Sequence, residues 1–195
     1  MADPLGRFIK AIAKYPGIIL ARTNITPNQL TLSGFLVNCA VAYFIADGRL
    51  GYLAAGILIW AAGFFDALDG SVARFTGRIT VFGNFFDSVI DRYSDSVIYL
   101  GIMARFLRSG EMSYVILAAV AMIGSFAVSY TRSKAESLNL KCEVGIMPRT
   151  ARIVILGASF CLGQVFWGLL VIAVLSHLTV LQRILYVRKN LLKTP

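Results

Sequence analysis

Residues 64–95 read FFDALDGSVARFTGRITVFGNFFDSVIDRYSD. Five of the chain's ten acidic residues fall in this stretch, between Asp66 and Asp95. It crosses two segments apolar enough to span a membrane. Carboxylates at bilayer depth are costly, so they face a cavity and mark a functional site by default. Asp66, Asp69, Gly70 and Ala73 follow i, i+3, i+4, i+7 and share one helical face. Thr80, Gly83, Asp87 and Asp91 do the same on the next helix. Reflecting the chain about a short turn at 76–78 sets Asp69 opposite Asp87, and Asp66 opposite Ile90, beside Asp91. All four lie about 14–20 Å along their helices from the turn, at 1.5 Å per residue. The spacing therefore predicts four carboxylates at similar depths on neighbouring helices.

The rest of the composition agrees with a membrane setting. The chain has 195 residues, 57% hydrophobic and only 15% charged. A soluble domain of this length could not bury so much apolar side chain. The alternation of a β-barrel is missing. The expected fold is all-α: one domain over 1–195, with a juxtamembrane amphipathic segment at 1–24 and a six-helix bundle at 25–190. The six spans fall near 30–46, 52–75, 81–107, 112–138, 149–163 and 166–187. Thr26 and Pro27 read as a helix start. Around Pro16, which interrupts the apolar run, Arg7, Lys10, Lys14 and Arg22 alternate with apolar residues, as in a surface helix.

The net charge of +9 would raise nucleic acid as a partner in a soluble protein. Here most cations flank apolar spans, and no basic stripe interleaved with aromatics forms a module, so none is expected. Six spans put both termini on one side, together with Arg74, Arg78, Arg132, Lys134, Lys141, Arg149, Arg152, Arg183, Arg188, Lys189 and Lys193. The opposite side has Arg49, Arg105 and Arg108. This bias predicts cytoplasmic termini and a cytoplasmic site in the cell membrane. Cys39, Cys142 and Cys161 suggest neither a disulfide framework nor a zinc site. His177, the single histidine, reads as a packing residue, and Phe82, Phe85 and Phe86 as packing or lipid-facing.

Four carboxylates crowded in low dielectric repel one another, and a divalent cation resolves this. All-oxygen ligation suits Mg²⁺, Mn²⁺ or Ca²⁺, and four negative charges could hold two ions. A paired metal is a common device for phosphoryl chemistry. The plainer reading pairs these aspartates with Arg74, Arg78 and Arg92, which four converging carboxylates strain. A cation transporter is the rival of another class, but it has no need of the glycine and arginine between the acids.

Asp66, Asp69, Gly70, Ala73, Arg74, Gly83, Asp87 and Asp91 match D-x2-D-G-x2-A-R-x8-G-x3-D-x3-D at every fixed position. This resembles the signature of the CDP-alcohol phosphotransferases. Eight fixed positions match by chance on the order of 10⁻¹⁰ per start. The resemblance implies that an acceptor hydroxyl attacks the β-phosphate of a CDP-linked lipid, releasing CMP. It assigns metal binding, with two ions of Mg²⁺ or Mn²⁺, to Asp66, Asp69 and Asp87, with Asp91 completing the set as general base. Gly70, Arg74 and Thr80 would contact the nucleotide diphosphate. Asn28, Gln29, Leu30 and Thr31 would line the cytidine end, with Ala73 and Gly83 giving close approach. A homodimer is implied as well.

Residues 130–152, YTRSKAESLNLKCEVGIMPRTAR, resemble the inositol-phosphate branch of the family. They depart from it at Pro148 and Ala151, where that branch carries acidic residues. Arg132, Lys134, Arg149, Arg152 and Arg183 would bind the phosphate of a phosphorylated polyol, best inositol 1-phosphate. The donor would be CDP-diacylglycerol or CDP-archaeol. Glycerol 3-phosphate, the acceptor of phosphatidylglycerophosphate synthases, is the nearest rival. Arg188, Lys189 and Lys193 read as membrane anchors. Asp95 falls outside the core set, as a structural partner for Arg92 or Lys134.

Overall fold

The computed structural model describes residues 4–22 and 25–192, with Pro4 and Lys10 as backbone only. Lys193 lies outside the described residues. Seven α-helices make up the described fold: α1 Pro4–Ala21, α2 Pro27–Asp47, α3 Tyr52–Thr76, α4 Val81–Arg108, α5 Met112–Ser137, α6 Arg149–Cys161 and α7 Val165–Leu191. Local sequence sets most of their ends. Thr26 caps α2 by accepting from the Gln29 amide, while Gln29 Oε1 accepts from the Thr26 amide at 2.9 Å. Gly48 and Gly77 end α2 and α3 with φ of 77° and 65°, a left-handed turn that glycine makes without strain. Thr80 caps α4, accepting from the Gly83 amide at 2.9 Å.

The helices close into a ring. Around it, α3 packs on α6, α6 on α7, α7 on α5, α5 on α4, α4 on α2, and α2 on α3. The main apolar core joins the ends of these helices away from the acidic stretch: Ile45, Ala55, Phe106, Ala118, Phe160 and Val165 all belong to it. Arg105 and Arg108 tie that end together by donating to the carbonyls of Leu50 and Ala46, at 3.2 and 2.7 Å. A smaller cluster of Ala13, Leu30, Leu68 and Val72 joins α1, α2 and α3 at the other end. The outer surface is apolar, with Leu36, Leu53, Ile116 and Leu181 exposed, as lipid contact requires.

Small residues let the helices approach. A Cβ on Gly101 would lie 2.5 Å from the Ala42 carbonyl oxygen, where α2 crosses α4. One on Gly56 would lie 2.5 Å from the Gly157 carbonyl, where α3 crosses α6. Without a hydrophobic force between helices in lipid, such close backbone contact supplies much of the association.

Among the described residues, four of the six expected spans, α2, α3, α5 and α7, are helices long and apolar enough to cross a membrane. Asp87, Asp91, Arg92, Asp95, Arg105 and Arg108 load α4 with charge, and α6, at 13 residues, is about 20 Å long, short of a ~30 Å hydrocarbon core. Pro16 does not interrupt the N-terminal segment but sits inside α1, which packs on α3 with Gly17 against Ser71. Finally, α3 and α4 are consecutive and joined by residues 77–80, yet they are not a packed pair. α2 touches both, and the two acidic faces look across a gap that carboxylates cannot fill with apolar contact.

Candidate active site

The gap between α3 and α4 is lined from both sides by the predicted acids. On α3, Asp69 is 7% exposed and held at both oxygens: Thr31 Oγ1 donates to Oδ2 at 2.7 Å, and the Gly70 amide donates to Oδ1. One turn deeper, Asp66 Oδ1 accepts from Asn38 Nδ2 at 3.4 Å. Thr31, Gly34 and Asn38 fall on one face of α2, and Gly34 leaves room for Asp66, whose Oδ1 would sit 3.2 Å from a Cβ there. On α4, Asp87 has Asp91 and Asp69 as its acidic neighbours. The mirrored depths expected from sequence are met: Asp69 faces Asp87, and Asp66 shares a partner with Asp91.

That partner comes from α6. Arg149, the first residue of the helix, reaches between the acids. Its Nη2 donates to Asp66 Oδ2 at 2.7 Å, and its Nη1 lies 2.8 Å from Asp91 Oδ1. Its Nε donates to Asp95 Oδ1 at 3.0 Å. The plainer expectation of pairing with Arg74, Arg78 or Arg92 is thus met only by Arg92, at 3.5 Å from Asp91. Asp95 is bound to Arg149, faces Arg152 and has Arg92 as a further cationic neighbour.

A second group gathers where the start of α4 meets the start of α2. A Cβ on Gly83 would lie 2.9 Å from Thr80 Oγ1 and 3.4 Å from Asn28 Oδ1, so these three residues converge. Arg74 is exposed, with its guanidinium over Gly70. Ala73 is half-buried beside it. Leu30 packs in the smaller core cluster, and the Gln29 side chain is engaged in the helix cap, so only Asn28 and Thr31 of that segment turn toward the site.

The basic residues divide. Arg152 is 3% exposed and donates through Nη1 to the Met147 carbonyl at 3.2 Å. Arg183 is 7% exposed and donates to the carbonyls of Val144 and Val128. Arg149, Arg152, Arg183 and Arg132 are successive electrostatic neighbours, a run leading away from the acids. Arg132 is exposed and paired with Glu136 at 2.8 Å. Lys134 is exposed in the last turn of α5. His177 Nδ1 lies 2.8 Å from the Ala173 carbonyl of its own helix, away from the acids.

The donor set is all oxygen, which suits a hard divalent cation. Among the described residues no three acids close on one point, because Arg149 holds oxygens of Asp66 and Asp91 while Thr31 holds one of Asp69. Asn38 and Asp95 were missed by sequence reasoning as members of the site. Asp95 lies one turn beyond Asp91 on a face the spacing singles out, whereas Asn38 lies on the α2 face of Thr31 and Gly34, which no spacing in the acidic stretch points to.

The family described as CDP-alcohol phosphatidyltransferase matches residues 24–181. An archaetidylinositol phosphate synthase from Methanothermobacter thermautotrophicus is 37% identical over 193 residues, covering 96% of this chain and 95% of its own. A crystal structure of Mycobacterium tuberculosis phosphatidylinositol phosphate synthase with CDP-DAG bound superposes with a TM-score of 0.81 at 26% identity, covering 91% of this chain and 94% of that one. A structure of the same enzyme in complex with manganese and citrate gives 0.79, also at 26% identity, over 90% and 88%.

Proposed function

The chain belongs to the CDP-alcohol phosphatidyltransferase family, and from this premise we propose that it joins inositol 1-phosphate to a CDP-linked lipid, either CDP-diacylglycerol or CDP-archaeol. It is a transferase of the phosphotransferase kind. The acceptor hydroxyl oxygen bonds to the β-phosphorus, the bond from that phosphorus to the CMP oxygen breaks, and CMP leaves. The observation that carries the acceptor is the run of arginines beginning at Arg149 among the carboxylates and continuing through Arg152 to Arg183. A phosphate held on that run would present its polyol hydroxyls toward Asp91. The names of the relatives support the same acceptor.

Asp66, Asp69, Asp87 and Asp91 would hold two divalent cations, Mg²⁺ or Mn²⁺, which supply Lewis-acid stabilisation of the phosphate charge when bound. Asp91, deepest on the α4 face among the motif acids, takes the proton of the attacking hydroxyl. Thr31 and the Gly70 amide orient Asp69. Arg74 lies at the exposed side of the same face and neutralises charge on the nucleotide diphosphate. Asn28, Thr80 and Gly83 form the place where a nucleotide can approach backbone closely.

In the membrane, α2–α7 act as one six-helix catalytic domain with α1 at the interface, within residues 1–195. The acids of α4 and the arginines of α6 are tolerated because they meet in the site rather than in lipid, while Arg105 and Arg108 lie at the opposite end of α4. Both termini and the carboxylates face the cytoplasm, and two copies associate as a homodimer. CMP release from diacyl and ether CDP-lipids tests the reading directly. It should require Mg²⁺ or Mn²⁺ and proceed with inositol 1-phosphate. Turnover with glycerol 3-phosphate alone, or equal turnover with unphosphorylated inositol, would overturn the acceptor assignment.

A further inference from the structure

Asp95 lies outside the motif, yet it holds the residue on which the acids converge. Its Oδ1 accepts from Arg149 Nε at 3.0 Å and lies 3.0 Å from Nη2, astride one edge of the guanidinium. The remaining contacts of that guanidinium go to Asp66 and Asp91, at 2.7 and 2.8 Å. One cation is therefore shared by three carboxylates on two helices. The other Asp95 oxygen faces Arg152 Nη2 at 3.6 Å, and that nitrogen is buried with no hydrogen-bond partner. Asp66, Asp95, Arg149, Arg152 and Asn38 line one cavity of about 30 Å³ between α2, α3, α4 and α6.

A divalent cation on Asp66 and Asp91 would take oxygens that Arg149 now holds. Stripped of both and with no third partner, Arg149 would be a half-buried unpaired charge, which is destabilising. The Nε contact to Asp95 is made by a nitrogen that neither Asp66 nor Asp91 touches, so it survives that exchange. Resting on the reading of Asp66 and Asp91 as metal carboxylates, we propose that Asp95 is a positioning residue for metal loading. It retains Arg149 in the site when the cation displaces the guanidinium from Asp66 and Asp91. Arg149 thus stands in for the cation before loading and stays beside it afterwards.

Mn²⁺ titration of the purified full-length protein, followed by the paramagnetic resonance of free Mn²⁺, tests this without turnover. Removing the competing cation with Arg149→Gln should tighten Mn²⁺ binding several-fold. Asp95→Asn should weaken it by about 10- to 100-fold, the usual scale for outer residues of a metal site. In the Arg149→Gln background, Asp95→Asn should change the affinity by less than about twofold, because its action runs through Arg149. Equal losses in both backgrounds would mean that Asp95 acts only as a nearby negative charge, and would overturn the proposal. If Asp95→Asn does not yield folded protein, Arg149→Gln decides, since unchanged Mn²⁺ affinity there also overturns it. Asp66→Asn separates the two layers: undiminished binding in that variant sinks the metal reading itself, whereas loss of binding there leaves the Asp95 outcome to stand alone.

Discussion

Asp91 and Arg183 show how differently the same site loads its residues. Asp91 keeps its place on the α4 face, with one oxygen on Arg149 and the other 3.5 Å from Arg92. Its isosteric amide could still sit there but could not accept a proton. Asp91→Asn should therefore lower turnover by about 10²- to 10⁴-fold while CDP-lipid binding is retained. Single-turnover CMP release and equilibrium binding of the CDP-lipid check the two halves separately, and a fully active variant would exclude Asp91 as the base. Arg183 is fastened by two backbone carbonyls, Val144 and Val128, leaving part of its guanidinium for a ligand. Losing a charge-assisted bond of about 1.5–3 kcal/mol, Arg183→Ala should raise the KM for inositol 1-phosphate roughly 10- to 100-fold. The KM for CDP-lipid should move little. Equal rises in both constants would mean that Arg183 only holds the fold together.

Among the elements, the informative contacts are those without side chains. At Gly101 the α2 backbone comes so close that an added Cβ would meet the Ala42 carbonyl oxygen at 2.5 Å. Neither backbone can retreat without opening the main core, to which Ala42 and the neighbouring Ile102 belong. Gly101→Ala should lower stability by about 1–3 kcal/mol through overpacking. At Gly51, before α3, nothing lies within 4 Å of an added Cβ, and Gly51→Ala should change stability by less than ~0.5 kcal/mol. Thermal unfolding of both variants in one detergent checks the contrast. Equal melting temperatures would show that the α2–α4 crossing is looser than this. Helix existence and most helix ends were legible in the sequence, because caps and left-handed glycines act within a few residues. The Thr26 cap and Pro27 at the start of α2 are a case in point. The exclusion of α3 from α4 was not legible. Consecutive helices on a short loop usually pack, but here α2 contacts both and α3 and α4 do not pack on each other.

Across the whole molecule, stability and chemistry occupy opposite ends. The main core, with Ile45, Phe106 and Phe160, closes the ring near the turns at 48–51, 109–111 and 162–164. The acids and arginines hold the other end around a polar gap. The cation bias predicts that this second end faces the cytoplasm. In a chain with Cys39, Cys142 and Cys161 replaced, Gly51→Cys should react with an impermeant thiol reagent applied to intact cells, and Arg78→Cys should not. The reverse pattern would invert the orientation.

By itself the sequence determined the all-helical character, the apolar spans of α2, α3, α5 and α7, the shared faces of the acids and the class of reaction. Each of these rests on periodicity or on a motif 26 residues long, where neighbours in space are neighbours in sequence. Tertiary structure decided what lies between the acids. Arg149 meets Asp66 across 83 positions of chain, and Thr31 meets Asp69 across 38. Asp95, set apart when read along α4 alone, became the holder of that arginine only once α6 was brought against α3. No local pattern encodes such meetings, because they follow from how six helices close on one another around charges that must all be satisfied.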